Sequence, residues 1–348
     1  MQWFSTIRST ACLLSGLMLL AFATTGCSRL NVAADIQDRL TPSNDRDWRP
    51  ELARTPRAQI DGQLYRLTNI RNNSYLSEDE YVVAYLDRQI RLDQIQSVDF
   101  VVAPFVKAPK LAHTILSFGL DDGSYLAISV EVRKELGEKY SPVLGLGRKY
   151  ELAYVLSDER DVIRLRTEHH GANVYVYPTV ANPQQAQALF ADVIERMNRL
   201  ADHPEFYNSI TNNCTTNLAG HVNEVSPGKI NYGWKVLLPG LSAEYAYELG
   251  LLDNRIPFED LTSISQVNSL AKEHFDDPDF SQRIRSRRYR IDRSIAAQQQ
   301  REQTLGSRGE QYLLDFSSQH RLTPNSTSDP QALRSAVRSE ARLPAIQR

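Results

Sequence analysis

Cys214 and His113 are the residues of this 348-residue chain whose types and settings could do covalent chemistry. Two of the three cysteines, Cys12 and Cys27, lie near the N-terminus, which leaves Cys214 alone in the remaining body. It sits in Asn212-Asn213-Cys214-Thr215-Thr216-Asn217, just ahead of Leu218-Ala219. Asn and Thr in such a block cap helices, so the spacing predicts Cys214 at or beside a helix N-terminus. There the dipole and the free N–H groups of the first turn favour thiolate over thiol. Those N–H groups, with Asn213 and Thr215 beside the sulfur, could receive the oxyanion formed when a thiolate attacks a carbonyl. The competing reading is a buried cysteine acting as a small hydrophobe, and the polar residues on both sides weigh against it.

A nucleophilic thiol also needs a base, and the chain has seven histidines. His221 follows Cys214 by seven positions, about 10 Å by helix rise, which is too far for a hydrogen bond. His169 and His170 stand beside Gly171 and read as a loop. His203 precedes Pro204 in a polar turn, and His274 and His320 lie in polar late segments. His113 differs because it opens the apolar strand-like run His113-Thr114-Ile115-Leu116-Ser117-Phe118, where a base can be held rigidly. On the next such run Ser129 and Glu131 are two apart and share a face. Either could orient the imidazole, and Glu131 is preferred because a carboxylate stabilises imidazolium.

The elements that must carry these groups follow from patterning. Strands are expected at Ser97–Val102, His113–Phe118 and Tyr125–Val132, the last two joined by a hairpin turn at Asp122-Gly123. Further strands are expected at Tyr150–Val155, Val162–Thr167 and Val174–Tyr177. Pro183 opens an amphipathic helix to about Leu200, with Ala186, Leu189, Phe190, Val193 and Met197 at helical spacing, and the Cys214 helix comes next. Strands first and helices after make an α+β class. The composition, 41% hydrophobic and 24% charged with formal net charge −2, is that of a folded globular chain and offers no basic field for nucleic acid. No metal or cofactor motif is evident.

The N-terminus reads as an address. Arg8 precedes the apolar run 11–23, of signal length and too short to span a bilayer comfortably. Thr24-Thr25-Gly26-Cys27-Ser28 resembles the lipobox of bacterial lipoproteins, with Thr24 where Leu is usual, and implies lipidation of Cys27. Ser28 rather than Asp after that cysteine implies outer-membrane more than inner-membrane sorting. The expected organisation is a signal peptide at 1–26, a tether at 27–47, a periplasmic catalytic domain at 48–255 and a C-terminal extension at 256–348. That extension reads as an Arg-rich helix and a partly disordered tail. Residues 281–348 hold thirteen Arg, no Lys and six acidic residues, so weak attraction to anionic lipid is an alternative to an uninvolved end.

The segments Ala112–Gly123 and Ile128–Glu135, with Phe206-Tyr207-Asn208 and Asn212-Asn213-Cys214-Thr215-Thr216, resemble the Lnb N-terminal periplasmic domain family. Trp48-Arg49-Pro50-Glu51-Leu52 and Asn69-Ile70-Arg71 fit its start, so the resemblance covers roughly 45 to 250. It implies a permuted papain-like fold, with histidine before cysteine along the chain as in the lecithin-retinol acyltransferases. It also implies acyl transfer through a thioester on Cys214. The expectation is a membrane-anchored periplasmic acyltransferase or lipid hydrolase with a membrane lipid or lipoprotein as substrate. A peptidoglycan amidase or peptidase, and a non-catalytic envelope lipoprotein, are the alternatives.

Overall fold

The computed structural model describes residues 40–77, 80–226 and 228–289, with isolated positions as far as 311. The signal segment 1–26, Cys27, the first part of the tether and the tail beyond these positions lie outside the described residues. The first compact unit of the chain ends at Arg287 and holds all the architecture below.

Among the described residues ten strands form: β1 (Arg57–Asp61), β2 (Leu64–Arg71), β3 (Ser74–Tyr75), β4 (Tyr81–Val82), β5 (Tyr85–Arg91), β6 (Ile95–Phe105), β7 (Ala108–Leu120), β8 (Tyr125–Arg133), β9 (Glu151–Asp158) and β10 (Tyr175–Pro178). Seven of them make a sheet in the order β1-β2-β9-β8-β7-β6-β10, with β5 also paired to β2, while β3 and β4 pair by themselves. The ladders are antiparallel except for one parallel contact between β2 and β9 at Arg71 and Ser157. The β7–β8 turn runs through Gly123 at φ +81°, which suits glycine, and Asp122 accepts from the Ser124 amide at 2.9 Å. This is the hairpin that Asp-Gly predicts.

Alternation along β7 sends Leu116 and Phe118 to one face of the sheet and Ile115 to the other. Three helices matter for the site: α1 (Glu159–Arg164), α2 (Pro183–Asp202) and α3 (Cys214–Val225). The first face carries α2 and α3. Asn182 and Gln185 close the α2 capping box behind Pro183, and Leu189, Phe190, Val193, Ile194 and Met197 are buried against the sheet. Each such side chain contributes roughly 2 kcal/mol of burial.

The second face is covered by α1 and by residues 267–284. Val162, Ile163, Val267, Leu270, Phe280 and Ile284 form one buried cluster there with Ile115. Segments assigned from sequence to the C-terminal extension are thus part of the first compact unit as far as Arg287. At the other end, Arg46 pairs with Glu151 at 2.6 Å, and Trp48 is buried under the Arg133 guanidinium, 4.3 Å from its ring. The last residues of the expected tether are therefore fastened to the sheet.

One expected strand is a helix. Val162–Thr167 falls on α1 and on the π-turn Leu165–His169 that continues it. Asp158 caps the helix by accepting from the Arg160 amide at 2.9 Å, and Glu159 and Asp161 stand in its first turn, where the dipole favours them. Val162 and Ile163 look like strand residues, but burial on one helical stripe satisfies them equally well.

The ladder between β7 and β8 starts at Gly119–Tyr125 and stops at Ile115–Ser129. Beyond that rung β7 stays paired to β6 through Ala112–Pro104 and, past a register shift, to Ala108–Phe105, and β8 stays paired to β9 as far as Arg133–Glu151. The sheet therefore forks, and the fork opens beside residues 113 and 131.

Candidate active site

The first turn of α3 is tightly specified. The Asn213 Oδ1 accepts from the Thr216 amide at 3.0 Å, and the Thr216 hydroxyl accepts from the Asn213 amide at 2.9 Å. This capping box puts Cys214 at the first helical position, as the Asn/Thr block predicts. The Asn213 Nδ2 donates to the Ser209 carbonyl at 2.9 Å, so the Asn213 amide is occupied in building the turn. The donors near the sulfur without an intrahelical acceptor are the first-turn N–H groups of Cys214 and Thr215.

Cys214 is buried and free. Its Sγ lies 3.9 Å from the Ala112 carbonyl oxygen and 3.7 Å from the Thr215 hydroxyl, which is 3.4 Å from the Thr114 hydroxyl. Helix α3 is thus latched to β7 on both sides of His113. The thiol's hydrogen-bond partners are Ala112 and Thr215, not the imidazole. By alternation His113 belongs to the sheet face of Ile115, opposite α3. Both residues nonetheless line one cleft of about 520 Å³, because at the fork β8 has parted from β7.

His113 has its Nε2 3.7 Å from Glu131 Oε1, and that nitrogen is buried with no hydrogen-bond partner. Burial, aided by the nearby Arg166, pushes the imidazole down to about 3, so it is neutral across the physiological range. Glu131 has several partners. The fully buried Ser129 donates to it at 2.5 Å, Arg166 donates at 2.9 Å, and Arg71 stands 3.8 Å away. Burial would raise the Glu131 carboxyl, but Arg71 and Arg166 outweigh it and hold the group well below the usual carboxylate range. Arg71 is itself held by Asp161 through its Nε at 3.0 Å and its Nη2 at 2.8 Å. Helix α1 therefore supplies, through Asp161 and the π-turn's Arg166, the frame that orients Glu131.

His169 and His170 also line the cleft rather than occupying a remote loop. His169 has a buried Nε2 without a partner, and its ring stands 5.9 Å from that of Tyr75. The overlooked signal was the Asp158 cap, which makes the following residues helical and turns Arg166 and His169 to one side. Tyr207, with Tyr140 beside it, lines the same cleft, and burial pushes both phenols up so that they remain donors.

A second space adjoins the first turn of α3. This cavity, about 140 Å³, is almost wholly apolar, with Leu116, Leu189, Leu218, Val222 and Ala246 in its walls. Thr215 lines it, whereas Cys214 lines the cleft, so the two spaces meet across adjacent residues.

His221 is buried away from the cleft. Its Nδ1 faces Asp192 of α2 at 2.5 Å, and its Nε2 faces the Tyr154 hydroxyl of β9 at 2.7 Å, so it ties α2, α3 and the sheet together. Among the described residues no group of three or more His, Cys, Asp or Glu is placed to hold a metal.

An α+β domain with a cysteine on a helix N-terminus and a histidine–carboxylate pair on the neighbouring strands, all opening on one cleft, defines a class of thiol site. Residues 81–240 match the model of the Lnb N-terminal periplasmic domain family, a stretch that spans His113, Glu131, Arg166 and Cys214. That match points to the periplasmic side of the cell envelope. Among the described residues no helix is long and apolar enough to cross a membrane. No curated protein and no solved structure matches the chain.

Proposed function

We propose that this domain is a cysteine-dependent acyltransferase or lipid hydrolase of permuted papain-like type, working through a thioester on Cys214. The observation that carries the reading is the apolar cavity reached across the first turn of α3 from the thiol. An acyl chain has a use for such a space, and a peptidoglycan peptide has none. In this scheme Sγ attacks the carbonyl carbon of an ester and the His113 imidazole accepts the thiol proton. The first-turn N–H groups take the oxyanion, a donor set whose loss typically costs on the order of 100-fold in rate. Collapse breaks the ester C–O bond, and His113 returns the proton to the leaving alcohol. Water or an amine then attacks the thioester with His113 again as base. Glu131, kept ionised by Arg71 and Arg166, stabilises the transient imidazolium. Catalytic hydrogen bonds are often long before substrate binds, so the contact between the thiol and His113 is one that the substrate complex must make. Lipidation at Cys27, towards the outer membrane, would keep a membrane lipid or lipoprotein within reach, since about 20 flexible residues span roughly 25 Å.

Incubation with phospholipid vesicles followed by intact-mass analysis tests the reading. An acyl adduct that maps to Cys214 and is absent from Cys214→Ala is the expected result. Full turnover of the true substrate by Cys214→Ala refutes it. A thiol that stays unlabelled by iodoacetamide near neutral pH in the folded protein would favour a structural cysteine.

A further inference from the structure

Four chain segments meet at the mouth of the cleft and turn large apolar side chains outward. The tip of the β6–β7 hairpin exposes Val106, which also lines the cleft. The β8–β9 connection exposes Val143, Leu144 and Leu146, the segment before α3 exposes Ile210, and the short helix Trp234–Leu237 exposes both of its ends. Trp234 is 61% exposed and Val143 is 74% exposed, although a tryptophan and a valine would ordinarily seek cover.

Packing and hydrogen bonds bring these segments together. The Phe105 ring packs 6.4 Å from Tyr140, the Ser209 hydroxyl donates to the Pro142 carbonyl at 2.7 Å, and the Ser209 amide donates to the Gly145 carbonyl at 3.2 Å. The backbone at Gly240 lies against Pro109 and Lys110, which sets the Trp234–Leu237 helix beside the hairpin tip. The apolar residues thus form a rim around one opening. Contiguous apolar surface of this kind marks an interaction site.

The charge within the rim indicates the partner. Lys107, Lys110, Lys139 and Arg148 are exposed among these apolar residues, and none has a carboxylate partner among the described residues. Lys134 lines the cleft itself. Of the acidic residues adjacent to them along the chain, Glu138 is paired with Lys149 and Glu135 stands beside Lys134. Aliphatic side chains, an exposed tryptophan and uncompensated lysines on one face are the composition that seats protein in the headgroup layer of an anionic leaflet.

We infer that this rim is a membrane-docking face, which rests on an anionic phospholipid surface and opens the Cys214–His113 cleft directly into the headgroup layer. The inference stands apart from the thioester chemistry, because it concerns how the domain sits and not what it catalyses.

Trp234 supplies its own reporter. The full-length protein is reconstituted into vesicles of phosphatidylcholine with 30% brominated phosphatidylglycerol, and Trp234 quenching is obtained by difference from Trp234→Phe. Trp48, which is buried, and Trp3 are common to both proteins and cancel in the difference. Quenching is normalised to vesicle-bound protein measured by flotation, so it reads docking of the face rather than recruitment. Strong quenching is expected in the wild type and in Cys214→Ala. It should fall at least several-fold in Val143→Asp/Leu144→Asp and in Lys107→Glu/Lys139→Glu, and should weaken as salt is raised. Ile60→Asp, on the edge strand β1, should match the wild type. The rim residues are exposed, so folding is expected to survive, and circular dichroism checks it. Quenching that is absent in the wild type, or unchanged in both rim variants, overturns the inference. So does Trp234 protection that depends on protein concentration instead of lipid charge, which would make the rim a contact between copies of the chain. Loss of the Cys214 adduct with quenching intact would count against the thioester reading alone.

Discussion

Neutral, buried His113 should make the domain acid-sensitive in a way that one substitution removes. In the unfolded chain its imidazole titrates near 6.5, and in the fold it is pushed down to about 3 by burial and Arg166. Between those values the unfolded state binds the extra proton, so stability falls as pH is lowered, beginning near 6.5. At pH 5.0 that one group costs about 2 kcal/mol relative to pH 7.5, and the loss levels off at about 5 kcal/mol only below pH 3. The side chain is only 14% exposed, so solvent screens this little. His113→Gln keeps a neutral polar group in place and abolishes the titration. Urea unfolding at pH 7.5, 6.0 and 5.0 should show the wild type losing about 2 kcal/mol more than the variant over that interval. His221, also lowered chiefly by burial, is common to both proteins and cancels in the difference. Parallel losses in the two proteins, or a His113 ring proton that titrates near 6.5 by NMR, would refute the reasoning.

Other expectations follow from the same contacts. Arg285→Met strips Asp99 and Glu159, which it bonds at 2.7 and 2.6 Å, of a buried counter-charge, and should cost about 3–5 kcal/mol in thermal or urea unfolding. Tyr154→Phe and His221→Leu should each cost about 1–3 kcal/mol, and a double-mutant cycle should show coupling, since both remove one hydrogen bond. Asn213→Ala should lose about 1 kcal/mol of stability with the cap of α3 and should slow thiol alkylation through a poorly ordered first turn. Ala246→Trp should fill the apolar cavity and suppress acyl-adduct formation on Cys214 by mass spectrometry, while iodoacetamide labelling proceeds as in the wild type.

Legibility of the sequence varied with the range of the interaction. The β7–β8 hairpin, α2 and the start of α3 were readable because each has a local signal: Asp122-Gly123, Pro183 with period-3.6 apolar residues, and Asn213 before Cys214. The Val162–Thr167 stretch was misread because two β-branched residues outweighed a single cap at Asp158, and with it went Arg166 and His169. Arg71 and Asp161 are 90 positions apart and meet only through the parallel contact of β2 with β9, which no local pattern announces. Ser129 and Glu131 could be placed on one face, but the arginines that keep Glu131 charged could not. The apolar cavity was equally hidden, since Leu116, Leu189, Leu218 and Ala246 come from four separate segments.

The point at which the β7–β8 ladder ends also sets the dimensions of the site. A fork between two paired half-sheets is a wedge whose width at residues 113 and 131 depends on how many rungs remain closed above it. Each further rung would bring the β7 and β8 backbones to normal strand spacing, about 5 Å, one residue nearer the mouth. Zipping Thr114 to Val130 would therefore narrow the wedge without altering any side chain that lines it. Substrate girth is in this sense written in main-chain hydrogen bonds, and changes at Ile115 or Ser129 that extend or shorten the ladder would retune selection by calibre while leaving the chemistry of Cys214 and His113 in place.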